Sequence, residues 1–119
     1  MSETESRLTI TEHGEIARVQ FRDRNILDEG NIQQIGEEIA QIIDGSPTPK
    51  ILIDFQNVEH LSSAALGALI TVNNKVKRKG GQLRLANIDP QIYEVFAITK
   101  LNTLFKIYDN AEEACTSFT

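Results

Sequence analysis

The chain has 119 residues, of which 40% are hydrophobic and 24% charged, and a formal net charge of −5. That size suits one domain, and that balance predicts a packed core rather than disorder. The acidic balance argues against a general nucleic-acid binder, which carries a basic footprint.

The single cysteine, Cys115, has no internal disulfide partner. One thiol and two histidines do not make up a Cys/His zinc site, and neither a metal nor a cofactor is expected. No apolar run is long enough to insert into a membrane. The start, Met1 to Arg7, is polar and acidic, unlike a secretory signal. These features point to the cytoplasm. Residues 1–6 read as a frayed tail and 7–119 as the domain.

Arg7 to Thr11 reads as a strand, followed by a turn at Glu12-His13-Gly14. Glu15 to Phe21 alternates, with Ala17, Val19 and Phe21 on one face and Arg18 and Gln20 on the other. That pattern predicts a half-buried strand paired with the first as a hairpin. Arg22 to Asp28 reads as a polar loop, with Asp28 able to cap the helix that follows. Ile32, Ile35, Ile39 and Ile42 recur at steps of three and four, which gives that helix an apolar face. It should stop near Asp44-Gly45, because Gly45 suits a left-handed cap and Pro47 and Pro49 block continuation.

Lys50 to Phe55 is mostly apolar on both sides and fits a central strand covered on both faces. A loop from Gln56 leads to Leu61. From there Ala65, Ala68, Leu69, Val72 and Val76 mark the buried face of a long helix. Lys77-Arg78-Lys79 complement its dipole, and Gly80-Gly81 end it. Gln82 to Ala86 alternates with Leu83 and Leu85 inward. Asp89-Pro90 start a short helix buried through Ile92, Val95 and Phe96. Leu104 to Tyr108 reads as a last strand. Asp109 to Glu112 has capping-box spacing, with aspartate as the cap of a final helix ending near Thr116.

The predicted order is β-β-α-β-α-β-α-β-α. Alternation after the hairpin predicts an α/β fold: a mixed sheet of about five strands with four helices, the two longer ones packed on one face.

Ser62 and Ser63 sit where the buried strand, after a short loop, meets the N-terminus of the long helix. Unpaired N–H donors and a partial positive charge make that end favourable for a phosphate. From the residues alone, Ser62 reads as an N-cap and Ser63 as an early helix residue with a small side chain. Asn25, Asn57 and His60 lie on loops expected beside this junction. The basic run Lys75 to Lys79 reads as a solvated helix end. Gly80-Gly81 lack the Gly-x-x-x-x-Gly-Lys context of a phosphate cradle.

The element order, the Ile51-Leu52-Ile53-Asp54 strand, the junction Ser62-Ser63-Ala64-Ala65-Leu66-Gly67 and the ending Leu101 to Tyr108 together resemble the STAS domain. This family includes bacterial anti-sigma factor antagonists and the tails of sulfate transporters. The likeness runs from about Arg7 to Ala114. The family's usual junction is Asp-Ser-Ser-Gly-Leu-Gly, whose first serine is phosphorylated by an anti-sigma factor that is also a serine kinase. Aligning Leu66-Gly67 places the phosphoacceptor at Ser63, with Ser62 as a second candidate. Ser62, Ala64 and Ala65 stand where the family has aspartate, serine and glycine. Leu27-Asp28 matches the Leu-Asp that commonly opens the family's first helix, beside the partner surface.

The resemblance implies a protein-interaction switch. The partner is a serine-kinase anti-sigma factor that uses ATP and magnesium, and a phosphatase reverses the modification. Asp28, Asn25, Asn57, His60, Ser62 and Ser63 are the expected contacts. A second reading is a STAS subunit that docks unphosphorylated on a transporter or signalling scaffold. A third is a small hydrolase built on Ser63 and His60. It lacks a Gly-x-Ser-x-Gly elbow and an identifiable orienting acid, so an enzyme is not expected.

Overall fold

The computed structural model describes residues 8–22, 24–26 and 29–118, the side chain of Glu29 excepted. β1 (Leu8–His13) and β2 (Ile16–Phe21) form an antiparallel hairpin in which Leu8 faces Phe21 and His13 faces Ile16. The first strand runs two residues past its expected end, so the turn falls on Gly14 and Glu15. Gly14 has a φ of 62°, a left-handed value that glycine adopts without a Cβ clash.

The expected loop after the hairpin contains a two-residue strand, β3 (Asn25–Ile26). α1 (Glu29–Asp44) follows, and then β4 (Lys50–Asp54). A second two-residue strand, β5 (His60–Leu61), pairs in parallel with β3 and leads directly to α2 (Ser63–Arg78). β6 (Gln82–Ala86), α3 (Pro90–Ile98), a 3-10 turn at Leu101–Thr103, β7 (Lys106–Tyr108) and α4 (Ala111–Thr116) complete the chain. The main sheet has five strands in the order β1-β2-β4-β6-β7, and every pairing after the hairpin is parallel. The predicted α/β architecture with four helices is therefore observed.

α1 and α2 pack together on one face, as their apolar stripes predict. Ile51 and Ile53 of the central strand, and Phe55 just after it, meet them, flanked by Val19 and Phe21 on one side and Leu83 and Leu85 on the other. On the opposite face α4 lays Ala114 over Leu52 and Ala86.

Several boundaries move, each for a physical reason. In α1 the fourth inward residue is Ile43, 1% exposed, while Ile42 is half-buried. Eleven residues from Ile32 make about three full turns, whereas ten fall short by roughly 80°. In α3, Ile92 and Phe96 are buried, but Val95 is 40% exposed. This short helix buries only an i, i+4 strip, and Val95 lies on its flank. β7 starts at Lys106 rather than Leu104 because the 3-10 turn extends into it, with Leu104 N and Phe105 N both donating to Leu101 O. The cap of α4 is Asn110, not Asp109. Asn110 Oδ1 accepts from Glu113 N at 2.8 Å and Asn110 Nδ2 donates to Glu113 Oε2 at 3.0 Å. This register sets Ala114 against the sheet.

Lys79, expected to serve its own helix, serves its neighbour. Its Nζ donates to Ile43 O at 3.0 Å and Asp44 O at 3.3 Å, at the end of α1, whose last turn has no basic residue. Next to it, Gly81 passes so close to Pro49 that a Cβ would stand 2.2 Å from the proline carbonyl oxygen. Only glycine fits there.

Candidate functional site

The candidate site forms at the C-terminal ends of β4 and β6, where loops leave the sheet. In open parallel sheets this edge is the usual place for binding. Asp54, the last residue of β4, anchors two of these loops from below. Its carboxylate is 1% exposed and accepts from Gln56 N at 3.0 Å, Asn87 Nδ2 at 2.9 Å, Arg18 Nη2 at 2.6 Å and Gln20 Nε2 at 3.3 Å. The bond to Gln56 fixes the turn after β4. The bond to Asn87 holds the loop after β6, where Asn87 takes a left-handed φ of 59°. Asparagine tolerates that conformation better than most residues.

The small β3–β5 sheet then brings the loop before α1 to the junction. Arg24 O accepts from Glu59 N at 2.7 Å and from His60 N at 3.2 Å, and Ile26 O accepts from Ser62 N at 3.1 Å. Asn25 and His60 are thereby register partners, both exposed, immediately before the serine pair.

The two serines have separate roles in the geometry. Ser62 is extended (φ −81°, ψ 167°) and half-buried, and its Oγ accepts from Ala65 N at 3.2 Å. It is the N-cap of α2, as predicted. Ser63 is the first helical residue. It is exposed, and its hydroxyl has no hydrogen-bond partner among the described residues. Ala64 and Gly67 are also exposed, so the outer face of the first turn is built from small residues that leave the backbone accessible.

His60 lies on a groove of about 120 Å³ between this first turn and α3, which it shares with Leu66, Gln91 and Val95. The exposure of Val95 is thus explained: it borders the junction instead of the core. Asn57 stands in a neighbouring cleft with Arg24, Glu59 and Asp89. Among the described residues no hydrogen bond joins His60 to Ser63, the pairing that a nucleophile and its base require. Asp28 lies outside the described residues.

Sequence reasoning missed the Asp54 network and the Arg24 carbonyl. The first had a signal. Alternation sends Arg18 and Gln20 to the second face, and the β2–β4 register sets Gln20 beside Asp54. The second had none, since a backbone acceptor leaves no mark in residue type. No helix among the described residues is long and apolar enough to cross a membrane.

Comparison with known proteins agrees with this geometry. The family model for the STAS domain matches residues 7–114. The anti-sigma F factor antagonist of Paenibacillus polymyxa is 21% identical over 90 residues, spanning 76% of this chain and 77% of that protein. An anti-sigma-factor antagonist (STAS) domain protein from Planctomyces limnophilus superposes with a TM-score of 0.84 at 22% identity, over 92% of this chain and 96% of the other. The Bacillus cell fate determinant SpoIIAA, solved in its phosphorylated form, gives 0.70 at 21% identity over 92% and 96%. At such identities the structural likeness speaks for the fold, while the family match covers nearly the whole sequence. The chain belongs to the STAS domain family.

Proposed function

We propose that this chain is an anti-sigma factor antagonist whose binding is switched off by phosphorylation of Ser63. The observation that carries this reading is the division of labour between the serines: Ser62 is committed to the cap, and Ser63 presents an exposed hydroxyl with no partner among the described residues. A relative of the same fold is known in a phosphorylated form, which supports the assignment.

Unphosphorylated, the flat first turn of α2 docks on a serine-kinase anti-sigma factor and frees its sigma factor. Asn25 and His60 form the rim nearest the serine and Asn57 extends it, with Asp28 as a further partner contact by its match to the family's Leu-Asp. The kinase then works on its own ligand. Ser63 Oγ attacks the γ-phosphorus of ATP, the bond to the ADP oxygen breaks, and the hydroxyl proton leaves to a base on the kinase. The phosphate adds about −1.5 to −2 charge and three acceptor oxygens. Within the domain the charge is well placed, because the first-turn N–H groups and the helix dipole face it. At the docked surface it meets a contact shaped for a neutral hydroxyl, and the complex separates without refolding. A phosphatase resets the switch. Dependence on ATP places this cycle in the cytoplasm.

The test is a paired pull-down from host lysate with wild type, Ser63→Asp and Ser63→Ala as baits. A kinase-type anti-sigma factor is expected on wild type and Ser63→Ala and absent from Ser63→Asp. Incubation with ATP is expected to release wild type but not Ser63→Ala. Equal recovery of a transporter or scaffold by all baits would overturn the switch.

A further inference from the structure

A groove of about 560 Å³ opens near the other end of α2, between its second half, the start of β6, and β7 with the preceding turn. Its volume falls within the range of small-molecule sites, roughly 300–1,000 Å³. On the helix wall stands Asn73, 5% exposed, with an amide Nδ2 that is buried and has no partner among the described residues. Leu69 and Val76, a turn away on either side, are ordinary apolar core. A buried amide without a partner is uncommon in a native fold and calls for an explanation.

The charges around it point the same way. Lys77 borders the groove one turn beyond Asn73, and Lys106 borders it from β7. No carboxylate among the described residues lines it, although the chain as a whole carries a net charge of −5. The clefts at the serine end are, by contrast, lined by Glu59 and Asp89. The groove is therefore a local positive field on an acidic protein.

We propose that this groove binds a small organic anion. Its oxyanion group, a carboxylate or a phosphate, sits between Lys77 and Lys106, which act as mobile point charges. A second acceptor on the ligand takes the Asn73 amide, whose terminal torsion is a broad one. Asn73 lies roughly 15 Å along the helix axis from Ser63, so this site does not depend on the phosphoacceptor assignment.

The experiment is an amide NMR titration of the ¹⁵N-labelled full chain with inorganic phosphate and, separately, with citrate. Sodium chloride at matched ionic strength is the control. The Asn73 side-chain NH2 pair and the backbone amides of Lys77 and Lys106 are expected to shift saturably with at least one of the two anions. A response to phosphate alone identifies a phosphorylated ligand, and a response to citrate alone a carboxylate. The double variant Lys77→Gln, Lys106→Gln changes only exposed side chains, and it is expected to weaken binding by about tenfold or more. Asn73→Leu should weaken it too while leaving the lysine shifts in place at higher anion concentration. Shifts that never saturate, that sodium chloride reproduces, or that survive the lysine double variant indicate an adventitious ion only and overturn the proposal. Absence of any shift with both anions overturns it as well.

Discussion

The two faces of the main sheet bury the same strands by different means. Toward α1 and α2, residues such as Ile51, Ile53, Leu83 and Leu85 join one large apolar cluster, with Asn73 of α2 as a buried polar residue at its edge. On the other face the apolar cover is small, centred on Leu52, Ala86 and Ala114, and beside it lies the Asp54 carboxylate with its ring of donors. The first face holds by area and shape. The second holds by a network in which each partner needs the others. An apolar contact can be trimmed with a graded loss, but the removal of one charge leaves several part-buried donors without their shared acceptor.

The largest expected effect breaks the network. Asp54→Ala leaves the Arg18 charge and the Gln20 and Asn87 amides unpaired. It should cost about 3 kcal/mol, near the lower end for a broken buried pair, because Arg18 retains 25% side-chain exposure. Urea unfolding measures it as a lower midpoint at unchanged slope. Joint replacement of Arg18 and Asp54 by leucine should cost less than the single change, and a double-mutant cycle that shows simple additivity would refute the network. On the apolar face Ile53→Val should cost about 1 kcal/mol, the ordinary loss of one buried methylene. Calorimetry can compare it directly with the network variant. Ser62→Ala removes the cap and should also cost about 1 kcal/mol, with a specific signature: faster hydrogen exchange at the Ala65 amide. The smallest effect is at Val95, where replacement by serine should stay within about 0.5 kcal/mol, against a clear loss for Ile92→Ser. If Val95→Ser proved as harmful as Ile92→Ser, α3 would have been placed wrongly.

The legible parts of the fold were those with repeated signals. α2 could be read at both ends because a serine cap, four turns of apolar spacing and a glycine pair all agree. β4 could be read because no polar residue interrupts its apolar run before Asp54. Val95 could not, because a short helix at the flank of a core does not declare how wide its buried strip is. The cap of α4 was displaced by one residue because Asp109 and Asn110 are both competent caps, and only the seating of Ala114 on the sheet decides between them. At the candidate site, the exposure of Ser63 and the capping by Ser62 follow from a strand, a loop and a helix start. The pairing of Asn25 with His60 does not, since a two-residue strand carries no periodicity.

That short pairing also governs how this corner of the molecule can evolve. Surface loops generally accept extra residues at small entropic cost. Here the loop before α1 and the loop before α2 are stitched together by backbone bonds from Glu59, His60 and Ser62 to Arg24 and Ile26. Neither can lengthen alone within the stitched stretch. One inserted residue slips the register and turns the side chains beside the serine to the opposite side. Insertions and deletions are therefore closed as routes of change at this edge, and substitutions remain open. A new partner can be acquired here by changing what the loops display, on a backbone of fixed length.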